Sequence, residues 1–155
     1  MNKAIPYQFF GSNNLEKCIF LHGNGFPPNS YQSFLDQLGK KLAVYAMYQR
    51  PFWETDIKPN EINGWNVFKN DAINFLQQNN LNKPIGIGHS MGAVLILLIE
   101  IQNPGTFKKI FLLSYPNNFN MKVYWSCPTC KEENSKNTFH TDRVEFAMRE
   151  GEIQK

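Results

Sequence analysis

The stretch PIGIGHSMGAVLILLIEI, residues 84–101, is the feature that most constrains the fold of this chain. An apolar run of strand length reaches Gly-His-Ser-Met-Gly, and a second apolar run of helical length follows at once. A strand that passes directly into a helix, with both elements apolar, is typical of a buried β–α unit. The stretch therefore predicts a sheet that is covered by helices.

Strand and helix patterns alternate on both sides of this unit. Apolar strand-like runs lie at 5–10, 17–23, 42–50, 84–89 and 107–115, and helical patterns lie at 31–41, 61–79 and 90–102. This alternation predicts an α/β fold, a mainly parallel sheet with helices on both faces. We expect one domain over residues 1–116 and a polar tail over 117–155, with one short helix at 141–149.

Composition and charge exclude several classes of function. The net charge is +3, and no basic stripe interleaved with aromatic residues is present, so a nucleic-acid partner is not expected. The longest apolar run is too short for a bilayer, and the first residues lack the apolar core of a signal peptide. Three cysteines do not form a secreted disulfide framework. We therefore expect a cytoplasmic protein without a membrane partner.

The spacing Gly88-x-Ser90-x-Gly92 has a mechanical reason. A serine on a sharp strand-to-helix turn takes a strained backbone, and side chains two residues away on either side would collide. The helix that follows points its free N–H groups at the reacting atoms, so the N–H of Met91 is a natural donor to an oxyanion. The pattern predicts an exposed nucleophile at the carboxyl end of a strand.

A second loop, FLHGNGFPPNSY at 20–31, follows an earlier strand. Its glycines and prolines cannot form a regular element, and it precedes a predicted helix. Because the carboxyl ends of parallel strands meet at one edge of a sheet, this loop can aim a backbone N–H at the same oxyanion.

With both motifs in this order, the sequence resembles the α/β-hydrolase family, closest to its esterase-like and haloalkane-dehalogenase-like members. The resemblance covers residues 5–115 and implies a hydrolase that needs no cofactor. It makes Ser90 the nucleophile, Met91 and Asn24 the oxyanion donors, and it gives supporting roles to His22, Gly23, Gly88 and Gly92. A serine in place of the aspartate of the dehalogenases favours acyl transfer from an ester, thioester or amide.

The general base is harder to assign, because the chain has three histidines. His22 lies in the oxyanion loop, and His89 adjoins the nucleophile, where we expect a buried supporting residue. His140, with Asp142 two residues on, is the remaining candidate base, in an order that reverses the family's acid-then-histidine order. The family also has further strands after the sixth, so the resemblance implies an incomplete, truncated α/β-hydrolase fold.

The tail carries one motif of its own, Cys-Pro-Thr-Cys at 127–130. Cys127 and Cys130 have the spacing of half a zinc site, to which His140 could add a third ligand. A redox pair and two ordinary tail cysteines are the alternatives, and the last requires no metal. A zinc-bound His140 could not serve Ser90, so the two roles for this histidine compete.

Two functions follow from these motifs. The first is a serine hydrolase that acts on the acyl bond of a small molecule through Ser90. The second is a truncated, inactive hydrolase-like domain that serves as a binding module or needs a partner chain. In the second case the last strand, KKIFLLSY at 108–115, would be an exposed edge for self-association.

Overall fold

The computed structural model describes residues 4–53, 62, 64–114 and 144–146, the last three by their backbone. Six strands form one sheet in the order β1-β3-β2-β4-β5-β6. The strands are β1 Tyr7–Phe10, β2 Glu16–Leu21, β3 Leu42–Met47, β4 Ile85–His89, β5 Lys109–Leu113 and β6 Val144–Phe146. Strand β1 pairs antiparallel with β3, and every other pair is parallel. The predicted mainly parallel sheet is confirmed.

The register of the central strands places two strand ends side by side. β2 lies between β3 and β4, and Leu21 at its end is paired with Gly88 of β4. The chain leaves both strands at the carboxyl edge of the sheet. The loop after β2 and the turn after β4 are therefore neighbours in space, although about 65 residues separate them in the sequence.

Three helices cover the sheet: α1 Gln32–Gly39, α2 Trp65–Gln78 and α3 Met91–Gln102, with a short 3-10 helix, Pro28–Tyr31, before α1. α3 is apolar on nearly all sides because it lies between the sheet and α2. Its one buried acid, Glu100, accepts the backbone N–H groups of Gly105 at 2.7 Å and Phe107 at 3.1 Å. This carboxylate orders the turn that leads into β5.

Two apolar clusters lie on opposite faces of the sheet. Alternate residues of β2 and β3 pack against Leu35 of α1 on one face, namely Cys18, Phe20, Val44 and Ala46. The residues between them pack against α2 and α3 on the other face, among them Ile19, Leu21, Ala43 and Met47. Helices therefore cover both faces, as the alternation of patterns predicts.

Two expectations for the end of the sequence are wrong. Residues 144–146, predicted as part of a helix, form β6 instead, and β6 pairs with β5 from Ile110 to Leu112. Val-Glu-Phe alternates apolar and polar residues with the period of a strand, and the edge of β5 offers unpaired backbone groups. The predicted exposed edge of β5 is thus occupied over these residues. Along the part of the chain described here, no helix is long and apolar enough to cross a membrane.

Candidate active site

Ser90 forms the turn between β4 and α3 in a strained conformation. Its φ of 51° and ψ of −112° lie in a region that residues with a Cβ rarely adopt, at a cost of about 1–3 kcal/mol. The turn is held by its backbone: the Ser90 N–H donates to the Leu113 carbonyl at 2.9 Å, and the Ser90 carbonyl accepts from Ala93 at 3.0 Å and Val94 at 3.2 Å. The strain that the glycine spacing predicts is present.

The two glycines around Ser90 leave room for two close approaches. A Cβ on Gly88 would lie 2.4 Å from the Gly92 carbonyl oxygen, so the turn itself excludes a side chain there. A Cβ on Gly92 would lie 2.0 Å from the Leu21 carbonyl oxygen and 2.9 Å from that of His22. Gly92 therefore lets the start of α3 rest directly on the end of β2, where the second loop begins.

The first turn of α3 has free backbone donors. The N–H groups of Ala93 and Val94 donate to the Ser90 carbonyl, whereas those of Met91 and Gly92 meet no acceptor among the described residues. These free N–H groups lie at the positive end of the helix dipole, directly after the Ser90 side chain. This end of α3 can stabilise negative charge that develops on an oxygen beside Ser90.

His22, at the start of the loop after β2, is fully buried, and both of its ring nitrogens are engaged with the backbone. Nε2 accepts the Gln49 N–H at 2.9 Å, which leaves the proton on Nδ1, 2.8 Å from the Gly23 carbonyl oxygen. Burial lowers the pKa of His22, and the bond to the Gly23 carbonyl opposes this only in part. His22 is therefore a neutral support of the loop and has no free nitrogen for proton transfer.

Gln49 and Tyr31 hold the same loop, and the sequence gives no sign of either contact. The Gln49 side-chain amide donates to the His22 carbonyl at 2.6 Å, and the Tyr31 hydroxyl accepts the Gly23 N–H at 3.0 Å. Tyr31 also lies 2.7 Å from Nδ1 of His89, which directly precedes Ser90. No local spacing could reveal the contacts of Gln49 with His22 and of Tyr31 with His89, because these partners are 27 and 58 residues apart in the sequence.

Asn24, the predicted second oxyanion donor, lies at the exposed tip of this loop. A tight turn surrounds it: the Phe26 N–H donates to the Gly23 carbonyl at 3.2 Å, and Gly25 has a φ of 78°. The Asn24 N–H has no acceptor among the described residues. It is thus available to a ligand, as is the Met91 N–H.

A buried ion pair lies next to the Gln49 contact. Nε of Arg50 donates to Asp71 Oδ2 at 2.6 Å, and Nη2 donates to Oδ1 at 3.0 Å. The guanidinium also lies 4.5 Å from the centre of the Trp53 ring. The pair joins the segment after β3 to α2, and so fixes the backbone from which Gln49 reaches His22.

The described residues do not supply a base for Ser90. None of them makes a hydrogen bond to the Ser90 hydroxyl. The described residues also contain no group of three side chains that could bind a metal ion. Cys18 is buried, and burial together with the charge of Glu16 raises its pKa, so it remains a thiol. The predictions for His140, Cys127 and Cys130 fall outside the described residues.

Comparisons with known proteins identify the fold of the chain that carries this site. No family model matches the chain. Ethanol acetyltransferase 1 from Hanseniaspora uvarum is 28% identical over 101 residues, which are 63% of this chain and 29% of that protein. An esterase from a marine microorganism superposes with a TM-score of 0.62 at 23% identity, over 70% of this chain and 40% of that one. A carboxylesterase of Nitrososphaera gargenis does so with a TM-score of 0.62 at 21% identity, over 69% and 40%.

The two solved structures share the architecture of this chain, and each match covers only part of the matched protein. The chain spans 40% of the length of the two solved structures and 29% of the acetyltransferase. The chain thus has the α/β-hydrolase fold in incomplete form, a mainly parallel sheet with helices on both faces.

Proposed function

We propose that the chain carries the nucleophilic half of a serine-dependent enzyme that transfers acyl groups from ester-type bonds of small molecules. The observation that carries this proposal is the strained backbone of Ser90 at the start of α3, with the free N–H of Met91 beside it. A cost of about 1–3 kcal/mol is retained in folded proteins chiefly where a site requires it. A glycine-rich connection without chemistry would have no need to hold a serine in this geometry.

In the proposed reaction the Ser90 oxygen attacks the carbonyl carbon of the acyl group. Its proton passes to a base, and the carbonyl oxygen becomes an oxyanion that accepts the N–H groups of Met91 and Asn24. Collapse of this intermediate breaks the ester bond, and the alcohol leaves with the proton. Water then attacks the acyl–serine bond, releases the carboxylic acid and restores the Ser90 hydroxyl.

The base of this reaction lies outside the described residues. His22 uses both of its ring nitrogens on backbone groups. His89 uses Nδ1 on Tyr31, and neighbouring side chains at a strand end point apart. His140, with Asp142, remains the candidate base within the sequence, and its replacement by Gln tests that role once Ser90 is shown to react.

A second acceptor for the acyl group is favoured by one comparison. The relative from Hanseniaspora uvarum is named for acetyl transfer to ethanol, and it is 28% identical to this chain over 101 residues. In that version an alcohol takes the place of water in the second step. The ratio of ethyl ester to carboxylate formed from an activated acetyl ester in aqueous ethanol distinguishes the two acceptors.

Hydrolysis of p-nitrophenyl acetate by the full chain tests the proposal. We expect Ser90→Ala to abolish hydrolysis, and Ser114→Ala to leave it unchanged. Ser114 is a matched control because it also follows a parallel strand and has a positive φ, 47°, but its side chain is exposed. Hydrolysis that survives in Ser90→Ala contradicts the proposal. A folded but inactive wild-type chain supports the inactive binding module instead.

A further inference from the structure

We propose that Tyr31 is a positioning residue that joins the two halves of the site, through one hydroxyl shared by the loop after β2 and the turn after β4. The inference rests on the proposed function, because it concerns the groups that would hold the oxyanion and the nucleophile. Tyr31 itself touches neither the substrate nor the reacting atoms. It acts through the residues that directly precede Asn24 and Ser90.

The contacts of Tyr31 are short on both sides. Its hydroxyl oxygen lies 3.0 Å from the Gly23 nitrogen and 2.7 Å from Nδ1 of His89. Gly23 precedes Asn24, and His89 precedes Ser90. One oxygen atom therefore makes hydrogen bonds to both halves of the site.

The hydroxyl oxygen serves both sides of this bridge at once. It accepts the Gly23 N–H through one lone pair, and it shares one proton with Nδ1 of His89, either as the donor or, in the other imidazole tautomer, as the acceptor. Phenylalanine at position 31 could do neither. Tyr31→Phe would leave the Gly23 N–H and the Nδ1 atom of His89 without their partner in a partly buried place.

The phenol ring is held firmly enough to fix the position of this oxygen. Its centre lies 4.9 Å from that of Phe20 in an edge-on contact and 5.6 Å from that of His89. Tyr31 also ends the 3-10 helix and packs with the apolar cluster under α1. A rigid ring on a helix end sets the distance between the loops more closely than a flexible side chain could.

No space separates the two loops at this point. A Cβ on Gly23 would lie 2.9 Å from Nδ1 of His89 and 3.2 Å from the Tyr31 hydroxyl oxygen. A shift of Gly23 therefore either strikes His89 or breaks the bond to Tyr31. Both oxyanion donors must face one atom. A shift of the loop by a fraction of an ångström therefore reduces the stabilisation of the transition state more than it reduces the binding of the substrate.

The variant Tyr31→Phe tests the bridge, with Tyr48→Phe as the matched control. Tyr48 has a hydroxyl near the same loop, but that group contacts the Asn29 and Gln8 side chains and no atom of Gly23 or His89. Both substitutions keep the ring and remove one oxygen. A difference between them therefore reports the bridge and not the loss of a hydroxyl in general.

The first readout is independent of activity. In amide nuclear magnetic resonance spectra, we expect Tyr31→Phe to shift the signals of Asn24 and of Met91 together and to speed hydrogen exchange at Gly23. Tyr48→Phe should leave both of these signals and the exchange rate at Gly23 unchanged. Signals that shift at Gly23 and Asn24 but leave His89, Ser90 and Met91 unmoved would overturn the bridge between the halves.

The second readout is the reaction of Ser90 with a fluorophosphonate and with p-nitrophenyl acetate. We expect Tyr31→Phe to lower the labelling rate and kcat roughly ten- to a hundredfold with little change in KM, and Tyr48→Phe to leave all three unchanged. Equal rates for Tyr31→Phe and wild type would overturn the positioning role. A folded wild-type chain that does not react contradicts the proposed function instead, and the amide signals still decide whether Tyr31 couples the loops.

Discussion

The loop after β2 and the turn after β4 serve the same edge of the sheet, but they are held in different ways. The turn is fixed by its own backbone, through the strained Ser90 and through glycines that allow contacts closer than any Cβ would permit. The loop has an exposed tip, and side-chain hydrogen bonds hold its base: those of His22 at its start, of Tyr31 at the end of the 3-10 helix and of Gln49 after β3. Backbone contacts position the proposed nucleophile, and side-chain hydrogen bonds position its partner.

This difference determines how each element responds to substitution. A turn held by backbone packing has no free volume, so a single added methyl group must move a strand or a helix. A loop held by hydrogen bonds loses them one at a time, and each loss costs a limited amount of free energy. Substitutions in the turn should therefore cost more stability than substitutions around the loop.

Gly92→Ala should have the largest effect. Its Cβ would lie 2.0 Å from the Leu21 carbonyl oxygen, which is backbone and cannot rotate away. We expect the free energy of unfolding to fall by about 3 kcal/mol or more, with loss of any reaction at Ser90. Urea unfolding followed by circular dichroism measures the change.

Gly25→Ala in the loop is the matched control for that variant. Gly25 has a positive φ of 78° and no atom within 4 Å of its Cβ position, so the cost is conformational alone. We expect about 1 kcal/mol. Equal costs for the two glycines would contradict the contrast between a packed turn and an open loop.

Gln49→Ala should have an intermediate effect. The variant removes the donor to the buried His22 carbonyl and leaves that oxygen unpaired, while the backbone N–H of residue 49 still reaches His22. We expect a loss of about 2 kcal/mol and faster amide exchange in the loop, because an unpaired buried acceptor costs about 1–3 kcal/mol. The turn at Ser90 should keep its slow exchange.

Gln32→Ala provides the comparison for Gln49→Ala. The Gln32 side chain is exposed and contacts Asp36 on the surface of α1. We expect a change of less than about 0.5 kcal/mol. If Gln49→Ala is as mild as Gln32→Ala, the side-chain clamp does not hold the loop.

The pH dependence of stability should show the smallest effect, and it also arises in the loop. Burial lowers the pKa of His22 below its ordinary value of 6.5, so below pH 6.5 the unfolded chain binds a proton that the folded chain does not. The contribution of His22 to stability is therefore complete above pH 6.5 and is lost as the pH falls below it.

Unfolding in urea at several pH values measures this effect. The slope due to His22 is at most about 1.4 kcal/mol per pH unit. His22→Gln should be less stable at neutral pH. Its free energy of unfolding should also lack the part of the pH dependence that His22 contributes. Parallel pH profiles for wild type and His22→Gln would show that His22 titrates alike in the folded and unfolded chains.

The same difference explains what the sequence could predict. Apolar periodicity predicts the five strands and three helices of the core because each pattern is complete within one element. The Gly88-x-Ser90-x-Gly92 spacing predicts the strained turn because Gly88 and Gly92 approach each other within the turn itself. The contact of Gly92 with Leu21 is not local, and the spacing does not predict it. The Gln49 clamp, the Tyr31 bridge and the Arg50–Asp71 pair have no local pattern, since the fold alone brings their partners together.

The error over β6 has a related cause. Three residues with strand periodicity are too few to outweigh a helical pattern, and the reason they form a strand is the open edge of β5. That edge belongs to the tertiary structure. Short elements that complete a sheet are therefore the hardest to predict from their own residues.

Labelling of the full chain with a fluorophosphonate, read as intact mass beside Ser90→Ala, tests the central claim most directly. We predict one adduct on the wild-type chain, located on Ser90 by peptide mapping, and none on the variant. Such an adduct requires an activated serine, so a base must act on Ser90, and His140→Gln is the next variant. A folded wild-type chain without an adduct, or an adduct that persists in Ser90→Ala, would contradict the assignment of Ser90 as the nucleophile.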